Sequence, residues 1–247
     1  MSAHAAFDSL AARYDALWTH APIGRAQREQ VWDCIDPLFH SGEALLDIGC
    51  GTGEDAAHFA SRGLRVHATD ASGEMLRHAA ARGGFTTELV RAELLSPGIA
   101  TYDGAVSNFG ALNCVGELRD VAASLAAALR PGARLAICVI GSFCLWEVLH
   151  YSARLQFGKA LRRVSRPSVV SSLGVAVHYR SVREWRAAFA PGFRCERWTG
   201  IGLLVPPSYV SLPPFFVRAC NAVDRVLARL PLLRGLADHR LLILVRE

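Results

Sequence analysis

Asp47, Gly49, Gly51 and Gly53 stand at alternate positions of LLDIGCGTG, residues 45–53, so an acid is followed at once by three positions without side chains, with Cys50 among them. Bare backbone of this kind lets a ligand lie against the main chain. The acid suits a ligand carrying ammonium and sulfonium charge and would repel a phosphate. A dinucleotide fingerprint would place its third glycine at position 54, where this chain has Glu54, so the loop is not prepared for a pyrophosphate. An ordinary glycine-rich turn is the plain alternative. Asp70 follows 23 residues after Asp47, as an acid does where it accepts both ribose hydroxyls of an adenosine. Ala71 and Ser72 come next, Ser72 as a helix N-cap, with Met75 turned back over the adenine and Glu93 and Leu94 set to meet its edge.

Strands and helices in alternation must hold these residues. Leu45, Leu46 and Ile48 suit a buried strand, and GEDAAHFASR, residues 53–62, a helix with acids at its positive end. LRVHAT (64–69) gives a second strand, 87–91 a third, the stretch from Tyr102 a fourth running into SNFGALN (107–113), and ARLAICVI (133–140) a fifth. The pattern predicts an α/β fold with a doubly wound, mostly parallel sheet whose ligand lies at the carboxyl ends of the strands.

With LDIGCGTG, TDAS and LRPG in this order, the chain resembles the class I, Rossmann-like S-adenosylmethionine-dependent methyltransferases, in their small-molecule branch, from about Phe7 to Ile140 and again in the last strand. The resemblance implies a seven-stranded sheet with an antiparallel last strand, N-terminal lid helices, helical cap insertions, and S-adenosylmethionine as cofactor. It places Asp47, Gly49, Cys50, Gly51 and Gly53 around the methionine part, Asp70, Ala71 and Met75 by the adenosine, and Glu93 and Leu94 at the adenine. Asn108 and Phe109 line the floor under the sulfonium. In the lid-like FDSLAARYDALW, Tyr14 covers the sulfonium, and Arg25 pairs with the methionine carboxylate. Tyr14 also reads as a core-facing aromatic and Arg25 as a solvated charge. Glu93 stands where the family usually has aspartate.

A chain of 247 residues can bury a full α/β core as a single domain. The expected division is lid helices at 1–40, cofactor-binding core at 41–140, cap insertions with a sixth strand at 141–240 and the last strand at 241–247. The N-terminus lacks a signal-peptide pattern, and four prolines interrupt the uncharged stretch 199–217, which reads as an apolar loop rather than a membrane span. Seven cysteines without a C-x-x-C pair fit a reducing, cytoplasmic setting, and the nine histidines show no metal-ligand spacing, so no metal is expected.

Charge is uneven: residues 1–150 hold 11 basic and 17 acidic side chains, residues 151–197 hold 10 and 2. YSARLQFGKALRRVSR, residues 151–166, reads as a basic amphipathic helix, either a cap over the site or a peripheral membrane contact. No nucleic-acid module is visible. Ile201, Leu203, Leu204, Val205, Tyr209, Phe215 and Phe216 favour a lipophilic or aromatic acceptor, with core packing as the alternative. Methyl transfer from a sulfonium needs placement above all, and an oxygen or nitrogen acceptor needs a base as well. His178 is the first candidate, then His150, Glu147 and Tyr179. The expected function is methyl transfer to a small, lipophilic or aromatic metabolite. A non-catalytic adenosylmethionine-binding scaffold and an NAD-dependent oxidoreductase are the alternatives.

Overall fold

Residues 3–95, 101–166, 168–171, 174–210 and 212–247 are described by a computed structural model. α1 (Ala3–Tyr14) and α2 (Pro22–Ile35), joined by a widened helical turn at Asp15–Thr19, precede the sheet. Leu45, Leu46 and Ile48 then form the buried β1 (Ala44–Ile48). α3 (Glu54–Ser61), β2 (Arg65–Asp70), α4 (Gly73–Arg82), β3 (Thr86–Leu89), β4 (Tyr102–Ser107), α5 (Leu118–Ala128) and β5 (Leu129–Ile140) complete the alternating half. Ser72 caps α4 as its residue type predicts, its hydroxyl accepting from the Met75 amide at 3.1 Å.

The strands make one seven-stranded sheet in the order β3-β2-β1-β4-β5-β9-β8, where β8 is Phe193–Ile201 and β9 is His239–Arg246. β1 pairs in parallel with β2 on one side and β4 on the other, so the chain departs in opposite directions from this point and leaves a crevice at the carboxyl ends. β9 is antiparallel to both β5 and β8. The sheet is the Rossmann-like methyltransferase arrangement that the motifs imply.

Adjacent residues on a strand face opposite sides, and the core divides accordingly. Leu46 and Ile48 pack with Val121, Leu125, Trp185 and Phe189 on one face; Leu45 packs with Val31, Ile35, Phe59 and Val66 on the other.

Between β5 and β8 the chain forms α6 (Leu145–Ser152), α7 (Phe157–Ala160), α8 (Arg162–Ser165), a small hairpin of β6 (Ser168–Val170) with β7 (Ala176–His178), and α9 (Val182–Phe189). The basic segment 151–166 is therefore not one helix, which corrects the sequence reading. α6 stops at Ser152 and Leu155 takes a φ of +56° before the next turn starts. Its faces also do not sort as the pattern predicts, although Arg154, Lys159 and Arg166 stay exposed. Arg163 is buried against Glu147 and Asp238, whereas Leu155, Phe157, Leu161 and Val164 are exposed. A charged side chain leaves water when a fixed opposite charge meets it, and Glu147 and Asp238 are buried and waiting. α10 (Pro214–Leu227) precedes β9.

Candidate functional site

The β1-to-α3 loop turns through three left-handed glycines, Gly49 (φ +67°), Gly51 (+54°) and Gly53 (+82°), but they serve different ends. A Cβ on Gly49 would lie 2.4 Å from the Ala111 Cβ, and one on Gly53 2.9 Å from Ala79 and Phe85. Those two permit close packing. A Cβ on Gly51 would meet nothing nearer than the Tyr14 ring at 4.0 Å. Gly51 thus opens on space.

That space is a cavity of about 390 Å³ whose walls include Gly49, Gly51, Asp70, Ala71, Met75 and Glu93. Parallel pairing sets Ile48 opposite Thr69, which brings the loop beside Asp70. The Asp70 carboxylate accepts from the Gly51 and Ser72 amides, both at 2.9 Å. Burial raises its pKa against those backbone bonds. The Phe7, Tyr14, Asn108 and Phe109 side chains close the cavity on the other sides.

Asp47 is buried at 1% exposure, and its Oδ2 has no hydrogen-bond partner. Burial, then the nearby Asp55 carboxylate, pushes its pKa well above the ordinary range. A buried carboxylate oxygen without a donor calls for a cationic one. Asp55 is the hub beside it, accepting from the Arg28 guanidinium, from Trp32 Nε1 at 2.8 Å and from Asn108 Nδ2 at 3.2 Å. The Asn108 side chain in turn accepts the Phe109 amide at 3.0 Å and holds Phe109 at a φ of +48°, a left-handed conformation that a bulky residue seldom takes.

α1 and the turn that follows it are fastened over this cavity by an acid each. Asp8 accepts from the Ser72 hydroxyl at 2.6 Å, and Asp15 accepts from the Thr52 hydroxyl at 2.5 Å and from Arg82 at 2.6 Å. The same helix end carries Tyr14, whose phenol pKa burial raises.

A second cavity, about 280 Å³, shares Phe7, Tyr14 and Phe109 with the first. Trp18, Gln27, Arg28, Arg163, Tyr209, Asp238 and His239 also line it. Arg28 lies over the Phe109 ring, 4.8 Å from its centroid, and His239 meets that ring edge-on at 5.4 Å. Behind His239, Asp238 and Glu147 clamp Arg163 at 2.8 and 3.0 Å, and Glu147 also holds Arg162 at 2.8 Å.

Of the residues singled out in the sequence, Tyr14, Gly49, Gly51, Asp70, Ala71, Met75, Glu93, Asn108 and Phe109 line the first cavity. Asp47, Cys50 and Gly53 belong to the same loop but do not line it. Leu94 is 66% exposed and turned away, because the turn Ala92–Leu94 presents Ala92 and Glu93 inward. Arg25 is corrected: it is 63% exposed, pairs with Glu29, and lies one helical turn from the inward arginine, Arg28. His178 lines neither cavity; it lies at the end of the β6–β7 hairpin, where its backbone carbonyl accepts from Asn113 at 2.8 Å. His150 packs on Tyr151 and Tyr209, and Glu147 is committed to its two arginines. Tyr179 lies under Arg163. Of the apolar set 201–216, Ile201, Leu203 and Val205 enter the core, Phe215 and Phe216 face outward, and Tyr209 reaches the second cavity.

Sequence reading missed His239 and Asp238. A signal was present: in ADHRLLILV the ionisable residues come just before the apolar run, and an antiparallel last strand begins at the carboxyl edge of its parallel neighbours.

Residues 46–135 match the family described as "Methyltransferase domain". The demethylmenaquinone methyltransferase of Thermobifida fusca is 37% identical over 145 residues, 54% of this chain and 59% of that one. The chain thus spans little more than half the length of that relative. The enzyme of the same name from Mycolicibacterium paratuberculosis is 29% identical over 208 residues, covering 79% of this chain and 84% of that one. Among solved structures, the Burkholderia thailandensis 1,6-didemethyltoxoflavin-N1-methyltransferase, with bound 1,6-didemethyltoxoflavin and S-adenosylhomocysteine, superposes with a TM-score of 0.59 at 20% identity, covering 99% of this chain and 86% of that one.

Proposed function

We propose that this chain, whose residues 46–135 carry a methyltransferase domain on the class I Rossmann-like fold, transfers a methyl group from S-adenosylmethionine to a small aromatic or lipophilic acceptor. The observation that carries this reading is the pair of cavities walled in common by Phe7, Tyr14 and Phe109, one suited to a donor and the other to an acceptor.

The residues present fit the cofactor. Asp70 keeps free acceptor capacity for ribose hydroxyls, Met75 and Glu93 stand at the adenosine end, Gly51 leaves room along the backbone, and the buried Asp47 behind the loop puts an acid, not a base, next to a cationic ligand. Bound there, S-adenosylmethionine supplies an activated methyl group on a sulfonium. Tyr14 and Phe109 lie at the junction, where they orient the acceptor and exclude water. The named relatives are described as demethylmenaquinone methyltransferases, which supports a ring-bearing acceptor for the aromatic second cavity. We read residues 1–40 as lid, 41–140 as cofactor core, 141–240 as cap and 241–247 as closing strand of a single unit. A cytoplasmic setting fits seven unpaired cysteines. No described helix is long and apolar enough to cross a membrane.

Thermal melting with S-adenosylhomocysteine at about 100 times its Kd should raise Tm by about 5 to 10 °C, and NAD should not. Labelled donor incubated with cell extract should then yield a labelled small molecule. Stabilisation by NAD alone would overturn the proposal; binding without any labelled product would leave a non-catalytic scaffold.

A further inference from the structure

We propose that the second cavity is a proton-abstracting site for a hydroxylated aromatic acceptor, with His239 as the base. The inference rests on the function proposed above and names its acceptor class.

The walls select a flat ring. Phe7, Tyr14, Trp18 and Phe109 bound a volume of about 280 Å³, enough for one or two fused rings. The polar groups are gathered around the shared Phe109. Arg28 lies over its face and His239 at its edge, so a ring stacked near Phe109 has a guanidinium and an imidazole within reach. A neutral carbonyl acceptor needs neither. A hydroxyl that ionises uses both, the imidazole to take its proton and the positive charge to hold the anion.

His239 is prepared for that task by its surroundings. Asp238 Oδ2 lies 3.4 Å from its Nδ1 without making a hydrogen bond to it, and the negative charge favours the tautomer with its proton on that nitrogen and the acceptor lone pair on the other. The charged groups around it are its chain neighbours Asp238 and Arg240, Arg163 from α8 with Glu147 of α6 behind it, and Arg28 from α2; Tyr14 and Tyr209 face the same cavity. Arg240 is held by the backbone carbonyls of Phe143, Gly235, Ala237 and His239, with no carboxylate bonded to it among the described contacts. Burial, with Arg163 and Arg240, holds the imidazole pKa below its usual value against the pull of Asp238, so the ring is neutral at neutral pH.

In the step, the acceptor O–H bond breaks, its proton goes to the His239 nitrogen, and the electron pair stays on oxygen. That pair forms the new bond to the methyl carbon as the carbon–sulfur pair withdraws on to sulfur. The imidazolium proton passes to water when the product leaves.

The test uses para-nitrophenol, whose anion is yellow, bound to the full chain with S-adenosylhomocysteine present, at a pH below the dye's solution pKa. The anion-to-phenol ratio of bound dye should exceed that of free dye about tenfold, one unit of pKa. Calorimetry in two buffers of different ionisation enthalpy should find no proton released, because it stays on the protein. His239→Gln and His239→Asn, each checked for unchanged S-adenosylhomocysteine affinity, should lose the colour change. Release of the proton to buffer by the wild type overturns the base assignment, and so does an unchanged ratio in a folded variant. Failure of the dye to bind beside S-adenosylhomocysteine overturns the acceptor class. Failure of S-adenosylhomocysteine itself to bind counts against the proposed function instead.

Discussion

Gly51→Ala separates the ligand-facing glycine from its two structural neighbours. Both Gly49 and Gly51 have left-handed backbone, at φ +67° and +54°, so alanine at either costs about 1 to 2 kcal/mol from conformation alone. At Gly51 the added methyl meets open space, 4.0 Å from Tyr14, and nothing more is lost. At Gly49 it would sit 2.4 Å from the Ala111 Cβ, so β1's loop or the turn after β4 must move, adding about 1 to 3 kcal/mol. For a chain of this size Gly51→Ala should lower Tm by roughly 2 to 8 °C and Gly49→Ala by clearly more. Calorimetry with S-adenosylhomocysteine should show the opposite ranking per unit of stability: Gly51→Ala, still folded, weakens binding by at least about tenfold, or 1.4 kcal/mol, because its methyl occupies ligand volume. Wild-type affinity in folded Gly51→Ala would refute the assignment of this cavity to the cofactor, whatever happened at Gly49.

Other outcomes follow from the buried charges. Asp47→Asn should weaken S-adenosylhomocysteine by no more than about tenfold in calorimetry, since Asp47 lies behind the cavity wall and acts by charge rather than by contact, while leaving the ligand-free protein as stable or more so. The native pKa of Asp47 is raised above its unfolded value, so the wild type binds the extra proton when folded and loses stability as pH rises from about 4 through the native pKa; chemical denaturation across that window should find this loss absent in Asp47→Asn. Arg163→Leu strands Asp238 in the interior, leaving Glu147 to Arg162, and should cost about 3 to 5 kcal/mol in a denaturant titration, whereas Arg154→Leu, on an exposed residue, should stay within about 0.5 kcal/mol. Because Arg162 and Arg163 are engaged inward, the chain should not sediment with anionic vesicles at low salt; sedimentation that Phe157→Ser abolishes would restore the membrane reading of this segment.

Local chemistry made the cofactor half of this protein legible from its sequence. The glycines and Asp70 lie on segments whose strand, turn and helix are each set by neighbours in the chain, and parallel pairing of β1 with β2 then brings Gly51 to Asp70. Ser72 as a cap is local in the same sense. The inward turn of Arg28 in place of Arg25 depended on Asp55, 27 residues away, offering a buried partner. The direction of Arg163 depended on Asp238, 75 residues away, and against that ion pair the amphipathic pattern of 151–166 had no power to turn this arginine outward. His239 joined the second cavity because β9 returns antiparallel beside β5, setting His239 opposite Ile140 at the sheet's carboxyl edge. Residue spacing encodes which groups share a helix face or a turn. Which buried charge meets which, and so which side chains face the second cavity, was decided by the closing of the sheet, since a charge leaves water only where the tertiary fold supplies its partner.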